Sequence, residues 1–95
     1  MDKLEKQLNT LREGVDEIDN EIVRFLKLRM EHILEIGKVK KELGMKRKDR
    51  KRNAKILKTT INRGKLNSLR GSFIKRIFKS IISEAERIEK RQKMD

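Results

Sequence analysis

One amphipathic pattern at the start of the chain dictates a fold built on a single very long helix. Apolar residues recur there at alternating spacings of four and three, the period that lines one face of an α-helix. This apolar stripe consists of Leu4, Leu8, Leu11, Val15, Ile18, Ile22 and Phe25. The chain contains no proline, and Gly44 is a natural helix stop. The sequence therefore predicts a helix from Lys3 to Leu43, about 60 Å long.

A second helix is predicted from Asp49 to about Arg63. Asp49 follows a basic connection and has a side chain that suits an N-cap, while Gly64 provides an end signal. The apolar side of this helix is formed by Ala54, Leu57 and Ile61, with Ile56 beside them.

A third helix is predicted from Ser72 to Gln92, after a turn from Leu66 to Gly71. Its inner side is formed by Phe73, Ile74, Ile77, Phe78, Ile81, Ile82, Ala85 and Ile88. No window alternates in the way a strand does. The prediction is an all-α chain of three helices, one of them very long, in one domain over residues 1–95.

The length of the first helix predicts a second copy of the chain. With 35% apolar residues, three Phe and no Trp or Tyr, the chain can build only a modest aliphatic core. A compact globule of this size has a radius of gyration of only about 12 Å. The long helix would therefore overhang its own domain and leave the apolar stripe exposed. We expect an intertwined homodimer in which the long helices pack together.

Composition excludes several classes of protein. The chain has no Cys and a single His, so we expect neither disulfides nor a metal site. It has no glycine-rich phosphate loop and no His-centred nucleophile arrangement. It also lacks a signal-peptide segment and the run of about 18 apolar residues that spans a bilayer. We expect a soluble, cytoplasmic protein without a cofactor or a membrane partner.

Three charged residues interrupt the apolar faces and predict a buried site for a small anion. Arg29 follows Phe25 in the apolar stripe, and Lys40, eleven residues further, returns to within about 20° of the same face. Glu89 lies four residues past Ala85 on the inner side of the third helix. Buried charges must find partners or reach solvent. Such a site can hold a small dicarboxylate in a reactive shape and accelerate a unimolecular rearrangement or elimination.

Simpler structural interpretations exist for these three residues and for Asp49. Arg29 and Lys40 can lay their stems on apolar surface and lift their charges into water. Asp49 can serve only as a helix cap, and Glu89 can pair with Lys93 on an exposed surface.

The chain resembles the all-helical class of chorismate mutases. The resemblance rests on LREGVDEIDNEIVRFLKLR (residues 11–29), EIGKVK (residues 35–40), the pair Asp49 and Arg52, and an inward polar residue at Glu89. It implies an intertwined homodimer with two shared active sites. It also implies conversion of chorismate to prephenate, a step in aromatic amino acid biosynthesis within the shikimate pathway.

The resemblance further implies which residues bind the substrate, namely Arg12, Arg29, Lys40, Asp49, Arg52, Asn53, Ala85 and Glu89. Arg12 would reach into the partner's site, and Arg29 would hold a carboxylate from within its own chain. Lys40 would contact a carboxylate and the ether oxygen whose bond breaks, and Glu89 would give a second hydrogen bond to that oxygen. Arg29, Lys40 and Glu89 are thus the predicted catalytic residues.

Asp49 would bind near the ring hydroxyl, with Arg52 supporting the substrate or the carboxylates around it. Three positions depart from the family pattern: Asn53 replaces a common Glu, Ala85 a hydroxyl-bearing residue and Glu89 a frequent Gln. An ionised Glu89 would repel the negative charge that develops on the ether oxygen. It must be protonated to help, which predicts a rate favoured by acid.

Three other functions compete with this interpretation. An isochorismate pyruvate lyase on the same scaffold would need similar cations. A basic helical dimer that binds nucleic acid is suggested by residues 36–80, which carry seventeen Lys or Arg against two Asp or Glu. Aromatic stacking residues are scarce, so we do not expect a nucleic-acid partner. A purely structural coiled coil does not explain the charges at Arg29, Lys40 and Glu89.

Overall fold

A computed structural model describes residues 2–94, with side chains for residues 2–92, and it forms three helices. They are α1 (Asp2–Glu42), α2 (Arg50–Leu66) and α3 (Gly71–Met94). No strand occurs within residues 2–94, so the predicted all-α class with one very long helix is confirmed. None of these helices has both the length and the apolar composition to cross a bilayer. Location in the cytoplasm stays a prediction. So does the single domain, whose terminal residues Met1 and Asp95 lie outside the described range.

The chain divides into an N-terminal unit, residues 1–32, and a C-terminal unit, residues 33–95. The described part of the N-terminal unit is one stretch of α1, and α1 contains no buried residue. Every member of the apolar stripe is exposed there, from 46% at Leu8 to 67% at Leu4. A lone helix has no core of its own, so this unit leaves its apolar stripe uncovered.

In the C-terminal unit, α2 and α3 pack against each other. Ile74 and Ala85 of α3 are buried, and so is Gly64 of α2. Gly64 permits this contact, because a Cβ atom there would lie 2.5 Å from Cγ1 of Ile74. The interpretation of Gly64 as an end signal is therefore wrong: α2 continues through it to Leu66.

The ends of α1 and α2 follow recognisable capping patterns. Gly44 has a φ of +69°, and Met45 N–H donates to Lys40 O at 2.8 Å, which confirms the predicted stop of α1. Asp49 caps α2 as expected, because its side chain accepts from Arg52 N–H at 3.0 Å. Residues 43–49 between these two helices are called the connector below.

α2 ends in the same pattern with a different residue. Ser68 adopts the left-handed conformation at φ 62°, and Leu69 N–H donates to Gly64 O at 2.8 Å. The predicted inner faces of α2 and α3 need three corrections. Ala54, Phe73 and Ile77 are exposed, because the buried side of each helix is turned slightly from the predicted one.

Candidate active site

A cavity of about 120 Å³ lies in the C-terminal unit, where the end of α1, the connector and α3 meet. Its lining residues are Gly37, Lys38, Lys40, Lys41, Met45, Arg47, Glu89 and Gln92. Four of these residues are basic and one is acidic. The charge of the wall therefore favours an anionic occupant.

Gly37 leaves space on α1 for a side chain of α3 at this point. A Cβ atom on Gly37 would lie 2.8 Å from Oε1 of Gln92 and 3.9 Å from Oε2 of Glu89. Gln92 also donates from Nε2 to the carbonyl of Leu34 at 3.3 Å. The missing side chain at Gly37 thus makes room for the Gln92 side chain, while Glu89 lies at an ordinary contact distance.

Lys40 presents its ammonium group at the cavity wall. The residue is half-buried, and Nζ donates to the carbonyl oxygen of Arg47 at 2.8 Å. An ammonium group has three N–H donors. This bond uses one of them, and the other two suit an anionic ligand.

Glu89 is the buried acid of the cavity. Only 8% of the residue is exposed, and its Oε2 atom is shielded from solvent with no hydrogen-bond partner among the described residues. Burial raises the pKa of this carboxyl above its ordinary value, and the charge of Glu86 adds to the rise. The positive charges of Lys40 and Arg47 oppose it. A neutral carboxyl here can donate a hydrogen bond to a ligand.

Arg47 fastens the connector to α3. Its Nη1 atom donates to the main-chain carbonyl of Glu86 at 3.0 Å. The nearby Lys48 side chain is more exposed and lies 3.8 Å from a carboxylate oxygen of Glu86. Of the two contacts that the connector makes with Glu86, the one from half-buried Arg47 is therefore the shorter.

Four predicted site residues of the C-terminal unit do not line the described cavity. Asp49 caps α2, and Arg52 is exposed. Asn53 donates from Nδ2 to Oε1 of Glu86 at 3.0 Å, and Ala85 is buried one turn before Glu89. No group of three His, Cys, Asp or Glu side chains in the described residues could hold a metal ion.

The model of the family described as chorismate mutase type II matches residues 11–90. The chain belongs to this family, and the resemblance to its all-helical class is confirmed. The matched range includes every site residue that the resemblance implies, from Arg12 to Glu89. No curated protein matches the chain significantly.

Two arginines that were predicted from the sequence as ligands lie in the N-terminal unit. Arg12 is exposed on α1. Arg29 is half-buried, and its Nη1 atom is shielded from solvent, so its charge does not extend freely into water. The binding roles of Arg12 and Arg29 stay predictions.

The simpler interpretation of Glu89 as half of an exposed ion pair with Lys93 is wrong, because Glu89 is buried. The Lys93 side chain lies outside the described residues.

Four polar residues of the cavity were not predicted from the sequence, namely Lys38, Lys41, Arg47 and Gln92. Gln92 lies three residues past Glu89, so helical spacing alone could have revealed it. Arg47 lies in the connector, where no periodic pattern indicates the direction of a side chain. Only the path of the backbone brings it to the wall of the cavity.

Proposed function

We propose that the protein is an enzyme that rearranges chorismate to prephenate, with the cavity beside Glu89 forming part of its active site. The observation that carries this proposal is the buried Oε2 atom of Glu89, which has no hydrogen-bond partner among the described residues. Glu89 lines one cavity with Lys40, in a chain of the chorismate mutase family. Cations and a neutral acid suit a substrate with two carboxylates and an ether oxygen.

For this reaction the protein has to orient the substrate and stabilise charge in the transition state. It does not have to form a covalent bond with the substrate or transfer a proton. The carbon–oxygen bond of the ether breaks while a carbon–carbon bond forms in the same molecule, so no proton or leaving group is transferred. Negative charge gathers on the ether oxygen as that bond lengthens. Lys40 would donate one N–H to this oxygen and another to a carboxylate, and protonated Glu89 would donate its O–H to the same oxygen.

The proposal includes a homodimer whose chains share two sites. One chain supplies a cavity of about 120 Å³, whereas pockets for small molecules usually measure about 300–1,000 Å³. The exposed apolar stripe of the N-terminal unit also needs a cover. A second copy would cover it, with Arg12 entering the partner's site and Arg29 acting within its own chain. Asp49, Arg52, Asn53 and Ala85 would complete the wall.

The deciding experiment follows chorismate loss and identifies the product for the wild type and for Arg29→Ala. We expect prephenate from the wild type and a kcat/KM about 100-fold lower in the variant, because a carboxylate loses its cation. Lys27→Ala is the matched control, since Lys27 is exposed on the opposite side of the same helix. We expect it to behave as the wild type.

Two results would contradict the proposal. Release of pyruvate from isochorismate, without prephenate from chorismate, would identify the lyase on the same scaffold. Absence of turnover together with nucleic-acid binding that weakens steeply with salt and ignores Arg29→Ala would identify the basic binding dimer.

A further inference from the structure

Arg47 makes two contacts that join different elements around the cavity. Its main-chain carbonyl accepts the hydrogen bond from the Lys40 ammonium at 2.8 Å, and Lys40 belongs to α1. Its guanidinium donates to the carbonyl of Glu86 on α3 at 3.0 Å. One residue therefore fixes both the connector and the end of a catalytic side chain.

We propose that Arg47 is a positioning residue, which holds the Lys40 ammonium at the cavity and places its own positive charge in the wall that Glu89 also lines. The inference rests on the proposed function for its kinetic consequences. The second part concerns the ligand-free protein and does not depend on the reaction.

Lys40 needs such an anchor because its side chain is long and flexible. Fixing a lysine side chain costs conformational entropy, and a free ammonium is strongly hydrated. A carbonyl oxygen at a fixed place offsets part of that cost. The carbonyl of Arg47 stays in place because the guanidinium of the same residue is bonded to α3.

The charge of Arg47 acts on Glu89 together with charges from the surrounding elements. Lys40 comes from α1, and Lys38 and Lys41 line the same cavity. Glu86 comes from α3, and α2 contributes the uncharged Asn53, which is bonded to Glu86.

Removing the charge of Arg47 should raise the pKa of Glu89. Lys40 and Arg47 lower the pKa of Glu89, whereas burial and Glu86 raise it. Without the Arg47 charge the pKa of Glu89 rises further. The protonated form then persists to higher pH.

The test compares Arg47→Gln, Arg47→Lys and the control Lys46→Gln. Lys46 is the exposed neighbour in the connector, and its replacement removes the same charge away from the cavity lining. The ¹³C NMR titration of the Glu89 carboxyl is recorded for each ligand-free protein. We expect the midpoint to rise by about one pH unit in Arg47→Gln. It should stay unchanged in Arg47→Lys and in the control.

Kinetics provide the second readout. On the acidic plateau, where Glu89 is protonated in every variant, we expect kcat of Arg47→Gln to fall about tenfold while KM changes little. Arg47→Lys, which can still donate to the Glu86 carbonyl, should recover most of it. Circular dichroism checks that each variant is folded, and Arg47→Lys remains informative if Arg47→Gln does not fold.

An unchanged midpoint in Arg47→Gln, or an equal shift in Lys46→Gln, would overturn the assignment, as would an unchanged kcat on the acidic plateau. Failure of the proposed function looks different. In that case the wild type does not convert chorismate, while the titration still reports whether Arg47 acts on Glu89.

Discussion

A buried carboxyl group is suited to this chemistry only in its neutral form. Oε2 of Glu89 has no donor among the described residues, so no hydrogen bond there offsets the cost of burying its charge. An amide in the same place would donate N–H at any pH. A carboxyl donates only while it holds its proton, which connects the rate to pH.

Glu89→Gln should therefore flatten the dependence of kcat/KM on pH. Burial raises the pKa of Glu89, so the carboxyl keeps its proton to a higher pH than an ordinary glutamate and loses it as the pH rises through that pKa. The wild-type rate should fall over this range, and the Gln variant should stay level. Steady-state rates from acidic to alkaline pH provide the measurement. Glu84→Gln, which changes a half-exposed acid of α3 that pairs with Arg87, should keep the wild-type profile. A level wild-type profile would exclude the role of Glu89.

At the scale of elements, the sequence predicted the helices better than it predicted their contacts. Gly44 and Gly64 carry the same local signal, yet only Gly44 ends a helix. Gly64 instead makes room for Ile74, a residue of another helix, and local propensity contains no information about that approach. Ser68 takes the left-handed position that ends α2, which a non-glycine residue seldom signals in advance.

Gly64→Ala should destabilise the packing of α2 on α3. The new methyl group would overlap Cγ1 of Ile74, and overpacking of this kind costs about 1–3 kcal/mol. Gly14→Ala is the control, because nothing lies within 4 Å of its Cβ position. Alanine there should raise the free energy of unfolding by about 0.5–1 kcal/mol. Urea denaturation at one protein concentration compares the two. Equal stability of both variants would show that the α2–α3 contact is not tight.

At the scale of the whole molecule, periodicity predicted two charged residues of the cavity, Lys40 and Glu89, but not the rest of its lining. Lys40 and Glu89 were found because a charge in an apolar stripe breaks a regular pattern. Arg47 was not, since the connector has no pattern to break. Likewise the exposed apolar stripe indicates that another surface packs on α1, but the stripe does not identify that surface. A second copy is the cover that we propose, and it would also supply Arg12.

If two chains contribute residues to each site, two inactive variants should regain activity when they are mixed, which a monomeric enzyme cannot do. If Arg12 acts on the partner's site and Arg29 on its own, Arg12→Ala and Arg29→Ala each inactivate both sites of a homodimer. A mixed dimer would then contain one site with both arginines intact. Random pairing after joint unfolding and refolding should restore about one quarter of the wild-type activity. Each variant refolded alone provides the control. Recovery no greater than the sum of the two controls would show that both arginines serve the same chain, because only exchange between chains can rebuild an intact site.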